Sequence, residues 1–300
     1  MGDAAHAESL DHEVYRTPFA VQPEFETWKT PVYYRIRYPG PGKLPDQMKV
    51  WLVQKTGKRV GSVVARGAGF TDSPDAEILA LGFNIGKAYG DVGIGRHGNF
   101  LQWGYCAPPS QMTESGRKLL LNCIHYIRKF DGQAPLSRRK SSPRPEVVAW
   151  AGAVGRISDD RQREYFLLTF PEELYEKYRS DPNGWFNYYR TNIELIYYNK
   201  AYRVDDELTS LGLASNRRIG TLQRLIELLD DPQCAATARK LLGRYTDLSF
   251  ETRSPWQEWF DENKGRIYFT DAGGYKFLVV PQGYMVPRDS GVGMSQTPSR

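Results

Sequence analysis

Cysteine, histidine and long apolar runs are all scarce in this chain of 300 residues. The three cysteines, Cys106, Cys123 and Cys234, show no Cys-x-x-Cys spacing and leave an odd thiol in any pairing, which argues against a disulfide framework or a thiolate zinc site. The four scattered histidines predict no metal site. No stretch approaches the roughly 20 apolar residues of a membrane helix, and residues 1–13 contain no signal-peptide run. We therefore expect a soluble, cytoplasmic protein with no membrane partner, metal or cofactor.

The chain also has little excess of charge of one sign. It contains 40 Lys and Arg and 35 Asp and Glu, which gives a net charge of +5. The one dense basic stretch contains Arg138, Arg139, Lys140 and Arg144 among serines and prolines. Such a composition cannot bury apolar surface, so a solvated linker over residues 136–146 is favoured. Nucleic-acid binding through this stretch is a less favoured alternative, because such binders usually gather basic charge on one face.

The first half of the chain is rich in patterns typical of strands. Residues 30–38 (TPVYYRIRY) alternate in polarity before Pro-Gly-Pro-Gly, and we expect a half-buried strand there. Residues 48–54 and 59–65 flank Lys-Thr-Gly-Lys and predict a β-hairpin. Two further strands are predicted at 77–84 and 98–105, on either side of a glycine-rich loop.

An amphipathic helix follows these strands. Thr113 stands at its N-cap position, and an Asp-Gly pair ends it near Phe130. The predicted buried face, by helical spacing, consists of Leu120, Cys123, Ile124 and Ile127.

The second half is mainly helical. Pro171 opens one helix, and a second helix is expected to bear Trp185, Tyr189, Ile193 and Ile196. Apolar stripes over residues 216–244 predict a helical hairpin that breaks at an Asp-Pro pair. The chain therefore changes character near the basic stretch, and we place a domain boundary there.

A β-hairpin is predicted near the end of the chain, where RIYFT (266–270) and YKFLVV (275–280) flank Asp-Ala-Gly-Gly. An isolated two-stranded ribbon is marginal in water. We expect it to pack against a preceding helix with Trp256 and Trp259, and both to dock on the helical hairpin.

Residues 93–98 (GIGRHG) match the dinucleotide-binding pattern Gly-x-Gly-x-x-Gly. That pattern has meaning only between a strand and a helix, and here a strand-like run follows, so a glycine turn is favoured. The same loop supplies the candidate functional residues of the chain, because a loop with His and Arg could bind an anionic group. The candidate catalytic residues are Arg96, His97, Asn99 and, as the nearest thiol, Cys106.

Acid–base chemistry at His97 requires a carboxylate or thiol within hydrogen-bond reach. Cys106 is followed by Pro-Pro and lies on no nucleophile elbow, so a buried structural thiol is favoured for it. The acidic runs at 205–207 and 230–231 are explained by solvated charge and helix capping.

The order of elements from Glu77 to Phe130, with Gly95-Arg96-His97-Gly98, Met112-Thr113 and a helix containing Asn122, resembles the closing segment of class I glutamine-amidotransferase-like domains. The trehalose-utilisation (ThuA-like) branch of these domains is included. Asp11-His12-Glu13-Val14 followed by Pro18-Phe19 is similar to the Asp-His-Pro segment of that branch, except that Val14 stands where the family has proline.

The resemblance implies a partial amidotransferase-like α/β fold over at most the first 130 residues. It implies no catalytic cysteine or triad, since the family's nucleophile lies upstream of this segment. The whole chain also resembles the rear portion of larger, uncharacterised bacterial proteins. It could thus be a complete protein or the rear of a longer one, and this second resemblance implies no activity.

The sequence therefore predicts an α+β fold with a strand-rich first half and a mainly helical second half that ends in a β-hairpin. The function favoured is a non-catalytic binding or accessory module for an unidentified small molecule or protein. A hydrolase-like enzyme with its site at residues 93–99 and a nucleic-acid binder are the alternatives. The predicted organisation is a domain at 1–135, a linker at 136–146, a helical domain at 147–281 and a disordered tail at 282–300.

Overall fold

The computed structural model describes residues 3–6, 10–36, 43–57, 64–84, 87–153 and 160–287. The chain divides between Leu136 and Ser137 into two compact units, and residues 283–287 belong to the first unit. The fold is α+β, as predicted, with most strands in the first unit and most helices in the second. None of the helices in the described ranges combines the length and apolar character that a bilayer crossing requires.

The first unit is built on a six-stranded sheet in the order β2-β3-β1-β4-β5-β6, and every pairing in it is antiparallel. The strand nearest the N-terminus is therefore central, and β2 and β6 are the edges. The strands are β1 Ala4–His6, β2 Phe25–Lys29, β3 Gln47–Leu52, β4 Ala76–Gly82, β5 Val92–His97 and β6 Phe100–Trp103.

Alternation along β3 explains why the sheet is covered on both faces, since successive strand residues point to opposite sides. Val50 packs with Tyr34 and Phe83 on one face, whereas Trp51 packs with Leu79 and other side chains on the other. The helices of this unit are α1 Val32–Ile36, α2 Ala68–Thr71 and α3 Glu114–Ile127, with 3-10 turns at Glu13–Tyr15, Pro109–Gln111 and Arg128–Phe130.

The predicted helix is confirmed as α3, with Thr113 as its N-cap. Its predicted buried face is wrong, because the observed buried face is rotated about the helix axis relative to the predicted one. Leu119, Asn122 and Tyr126 are buried with Cys123, whereas Ile124 is 55% exposed. Asn122 is turned inward because its amide donates to the carbonyls of Val14 and Phe19 and accepts from the Phe19 amide. A polar side chain with three hydrogen bonds to backbone groups thus determines which face of the helix is covered.

The strand predicted at residues 30–38 is wrong. The strand β2 ends at Lys29, and residues from Val32 form the short helix α1. The Pro31 carbonyl accepts hydrogen bonds from the amides of Tyr34 and Arg35, and proline is well suited to the start of a helix. Residues 37–42 lie outside the described residues. The predicted hairpin partner at 59–65 lies mostly outside them as well.

The second unit consists of helices around one core, with two small hairpins. The hairpin β7–β8 is absent from the sequence prediction, which continued a helix through Ile196; that helix, α7, ends at Thr191 instead. The elements are α4 Arg144–Ala151, α5 Asp160–Leu167, α6 Glu172–Tyr178, α7 Pro182–Thr191, β7 Ile196–Asn199, β8 Ala201–Val204, α8 Asp206–Ser210, α9 Ile219–Glu227, α10 Ala235–Thr246, α11 Arg253–Asn263, β9 Ile267–Thr270 and β10 Lys276–Val279, with 3-10 turns at Ile193–Leu195 and Leu228–Asp230.

The predicted helical hairpin is confirmed as α9 and α10, and the terminal hairpin as β9 and β10. Trp256 of α11 is fully buried, and its indole donates to the Phe250 carbonyl at 2.9 Å. Trp259 is only partly buried against the same core, which also contains Leu225, Leu241 and Phe277. The expectation that α11 and the terminal hairpin share a core with α9 and α10 is confirmed, and Trp256 is its main anchor.

The stretch predicted as a solvated linker is instead integral to the second unit. The amides of Lys140 and Ser141 both donate to the Ala272 carbonyl in the β9–β10 turn. Ser137, Ser141 and Ser142 are buried. Composition alone misses this because backbone hydrogen bonds to a distant turn leave no local pattern in the sequence.

Arg144, the last basic residue of that stretch, is 2% exposed. Its Nε lies 2.9 Å and its Nη2 2.6 Å from carboxylate oxygens of Asp271, and its remaining donors reach the Ile193 carbonyl and Asn216. Burial lowers the pKa of Arg144, and the Asp271 carboxylate more than offsets this, so that the pKa is raised. Arg144 thus joins the start of α4 to the terminal hairpin.

A second buried carboxylate, Asp205, lies on the other side of Asn216. It accepts from the Leu208 amide as the N-cap of α8, from Arg244 at 2.6 Å and from the Tyr245 hydroxyl. The Asn216 amide donates to that same Tyr245 hydroxyl at 3.3 Å. The helix capping predicted for the acidic run at 205–207 is confirmed at Asp205. The solvated charge also predicted there is wrong for Asp205, which is buried in this network.

The predicted tail begins in ordered structure. The hydroxyl of Tyr284 donates to the Ala134 carbonyl within the first unit. The remainder of the predicted tail, residues 288–300, lies outside the described residues.

Candidate functional site

The candidate site lies in the first unit, where β4 begins and β5 ends. The register pairs Ala76 with His97 and Glu77 with Arg96, so the acidic residues at the start of β4 face the basic residues at the end of β5. Gly98 and Asn99 then form the turn into β6. Two His–carboxylate contacts result, one at Asp75 and one at Glu77.

Asp75 is fully buried and is the centre of the first contact. Its Oδ1 lies 3.3 Å from Nε2 of His97 and accepts from the Ser73 hydroxyl at 2.5 Å, and its Oδ2 accepts from the Leu136 amide at 2.9 Å. Burial raises the pKa of Asp75, and the contacts with His97, Ser73 and Leu136 outweigh it, so that the pKa is lowered. An ionised carboxylate is therefore present beside the imidazole at neutral pH.

Glu77 is the centre of the second contact. It lies 2.5 Å from Nε of Arg96, which is fully buried and stacks over the Phe130 ring at 3.6 Å. The Tyr126 hydroxyl of α3 donates to the same carboxylate at 2.8 Å. Burial raises the pKa of Glu77, but His12 and Arg96 hold it below its ordinary value.

His12 completes the second contact. Its Nδ1 accepts from the Val14 amide at 3.2 Å, which leaves the proton on Nε2, and Nε2 lies 3.5 Å from Glu77. No local signal reveals this pairing, since the partners are 65 residues apart in sequence. Charged residues at the apolar strand β4, Asp75 and Glu77, are the signal that could have directed attention to them.

The structure brings three of the four predicted site residues together. Arg96, His97 and Asn99 follow one another through the end of β5 and its turn. Cys106 does not lie near them. The end of β6 that pairs with His97 is Phe100, whereas Cys106 follows the other end of the strand, Trp103. Cys106 is exposed, so the buried position predicted for it is wrong, and it does not join the site.

The Gly-x-Gly-x-x-Gly pattern belongs mainly to a strand, and the expected loop is therefore wrong in its extent. Gly93 and Gly95 lie within β5, and only Gly98 lies in the turn, with φ of +56°. A β-carbon at Gly95 would lie 2.5 Å from the Phe70 ring. These glycines leave space for neighbouring atoms. The element that follows is the strand β6, as the sequence predicted, and not the helix that a dinucleotide site requires.

Other reactive groups do not converge on this site. Among the described residues, no group of three or more His, Cys, Asp or Glu side chains could hold a metal ion. Cys123 is the thiol on the site side of α3, and burial raises its pKa to about 12, which leaves it protonated and unreactive at neutral pH.

Comparison of the chain with protein-family models, curated proteins and solved structures finds no match. The resemblance to amidotransferase-like domains therefore stays a prediction.

Proposed function

We propose that this chain is a non-catalytic binding or accessory protein that contacts a protein partner through the β5–β6 turn. The observation that supports the proposal is Phe100, whose side chain is 71% exposed at the first position of β6. It stands directly across the strand pair from His97 and next to the exposed Asn99. Large exposed aromatic side chains at fixed positions are typical anchors of protein interfaces.

The turn that presents Phe100 is fixed from several sides. The Gly98 amide donates to the Asp75 carbonyl at 3.1 Å, and the Asn99 amide donates to the Gln133 carbonyl at 2.7 Å. Nη1 of Arg96 donates to the Gly98 carbonyl at 2.8 Å. A turn held in this way loses little conformational entropy on binding, which favours its use as a recognition element.

A protein partner fits this surface better than a small molecule. Small-molecule sites are concave and cover most of their ligand, whereas Phe100 projects outward with most of its side chain uncovered. A projecting aromatic ring instead fills a pocket in the surface of a partner. The two His–carboxylate contacts beneath it then act as supports for the turn.

A photo-crosslinking amino acid at position 100 tests the proposal, with the same group at Leu168 as a control, since Leu168 is 77% exposed in the second unit. We expect a partner to be captured from position 100 and not from position 168. The captured protein, once purified, should bind Phe100→Ala at least tenfold more weakly than wild type and Leu168→Ala unchanged. Equal binding by Phe100→Ala would refute the proposal.

Acid–base catalysis at His97 is a second candidate, because Asp75 lies within ion-pair distance of its imidazole and the side chain is 24% exposed. A carboxylate on Nε2 would orient the ring and leave Nδ1 to accept a proton from a water or substrate. Such a hydrolase would use water as the nucleophile. Turnover of an ester, amide or phosphoester that His97→Gln abolishes would establish this function and overturn the non-catalytic proposal.

A further inference from the structure

A basic and aromatic surface lies in the second unit, whereas the candidate site lies in the first. It consists of Arg138, Arg139 and Lys140, together with Tyr198 and Lys200 of the β7–β8 hairpin, and we call it the basic–aromatic surface. All five side chains are exposed. We propose that this surface binds single-stranded nucleic acid, with the four cations on phosphates and a base stacked on Tyr198.

The two parts of the surface are connected by a chain of contacts. The side chain of Arg139 donates to the Ser142 hydroxyl at 3.2 Å, and the Ser142 amide donates to the Tyr202 hydroxyl at 2.7 Å. Tyr202 stands opposite Tyr198 in the hairpin, with ring centroids 5.0 Å apart. Tyr198, which is 38% exposed, therefore lies one ring beyond the basic stretch.

The backbone under the cations is held in place. The amides of Lys140 and Ser141 donate to the Ala272 carbonyl, and Lys140 lies beside Gly274 in the same turn. On the hairpin side, Lys200 occupies the turn itself with φ of +60°. Cations on a backbone that is held in place lose less entropy when they meet a ligand than cations on a disordered arm.

The charges of this surface lack carboxylate partners, in contrast to several other exposed cations of the second unit. Arg224, Arg239 and Arg253 each lie within 4 Å of a carboxylate. In the part of the chain that the structure describes, no such ion pair forms at Arg138, Arg139, Lys140 or Lys200. Uncompensated positive charge beside a half-exposed ring is the combination that single-strand binders use for phosphates and bases.

A single strand suits this surface better than a duplex. Stacking on Tyr198 requires an unpaired base face, which a duplex keeps within its own stack. Four phosphate contacts also predict a salt dependence, since each releases condensed counterions. For single strands the slope of log affinity against log salt should be about −3, which is about −0.7 for each of four contacts.

Fluorescence anisotropy with labelled oligothymidylate, oligouridylate and a mixed-sequence duplex tests this inference on the full chain, from about 50 to 200 mM salt. We expect the single strands to bind more tightly than the duplex. The combined variant Arg138→Ala/Arg139→Ala/Lys140→Ala should reduce the magnitude of the salt slope by about 2. Tyr198→Ala should weaken single-strand binding at least fivefold, and Tyr198→Phe should retain it.

The matched control is Arg224→Ala/Arg239→Ala/Arg253→Ala, which removes the same charge from cations that already have partners. It should leave the salt slope within experimental error of wild type. The inference is overturned if wild type binds no oligonucleotide at low salt, if both triple variants lose the same slope, or if duplex binds as tightly as single strand with Tyr198→Ala unchanged. The circular dichroism spectrum of each variant must match wild type before it is scored.

Discussion

Removal of the Asp271 carboxylate should leave the guanidinium of Arg144 buried without a counter-charge. In Asp271→Ala the Arg144 side chain loses its hydrogen-bonded carboxylate and keeps its hydrogen bonds to the Ile193 carbonyl and the Asn216 amide oxygen. It also keeps its contacts with the Phe269 and Tyr275 rings. The Arg144 amide also loses its acceptor at the start of α4. Breaking a buried ion pair in this way costs about 3–5 kcal/mol. For a unit of this size that lowers Tm by about 6–20 °C.

Urea unfolding of the full chain, with hydrogen exchange in α4 and β10 to assign the change to the second unit, measures this effect. Asp271→Asn should cost less, because one oxygen remains as an acceptor. Asp230→Ala is the control, since its ion pair with Arg253 is exposed on both sides and should contribute less than about 1 kcal/mol. If Asp271→Ala and Asp230→Ala lower the unfolding free energy equally, the reasoning about buried charge is wrong.

Three further predictions concern stability. Trp256→Ala should lower the unfolding free energy by about 3–5 kcal/mol, and Trp259→Ala by less, because Trp256 is fully buried and Trp259 only partly; equal losses in urea titrations would contradict this. Glu77 stabilises the fold above its unfolded pKa of about 4, because its folded pKa is lowered. This contribution is lost as pH falls through the folded pKa, so Glu77→Gln should flatten the acid limb of a stability profile, and an unchanged limb would argue against the ion pair. Gly98→Ala should destabilise the first unit by more than about 1 kcal/mol, since φ is +56° and a β-carbon would lie 2.6 Å from the Gln133 carbonyl oxygen; an unchanged Tm would show that the turn relaxes.

Local patterns were sufficient to predict the elements whose signals lie within a few residues. Thr113 as a cap, the Asp-Pro break between α9 and α10, and the Asp-Ala-Gly-Gly turn each act over one turn of chain. The hairpin β7–β8 was missed because its turn residue, Lys200, has positive φ without being glycine or asparagine. Propensity alone gives no indication of a turn at lysine.

Long-range polar contacts could not be predicted. The inward rotation of α3 depends on Asn122 finding backbone partners more than 100 residues away. The burial of Arg144 likewise depends on Asp271, which is 127 residues away. A sequence pattern assigns such residues to the surface because an isolated amide or charge is costly to bury, and only the partner reverses that cost.

At the candidate site the sequence identified Arg96, His97 and Asn99 but not the carboxylates that contact Arg96 and His97. His97 was singled out for its place near a glycine turn, and the structure places the Asp75 carboxylate 3.3 Å from its Nε2, without a hydrogen bond between them. Asp75 and Glu77 were missed because the antiparallel register of β4 and β5 brings them there. Register is a property of two strands together and cannot be read from either one.

The contact between Ser141 and the β9–β10 turn also affects how the second unit can form during synthesis. Ser141 and Ala272 are 131 residues apart, so at a synthesis rate of about 5–20 residues per second the basic stretch waits roughly 7–26 seconds for its partner. Over that interval the guanidinium of Arg144 is hydrated and α4 lacks its Asp271 cap. The second unit can therefore complete its core only after the last strand, β10, has left the ribosome.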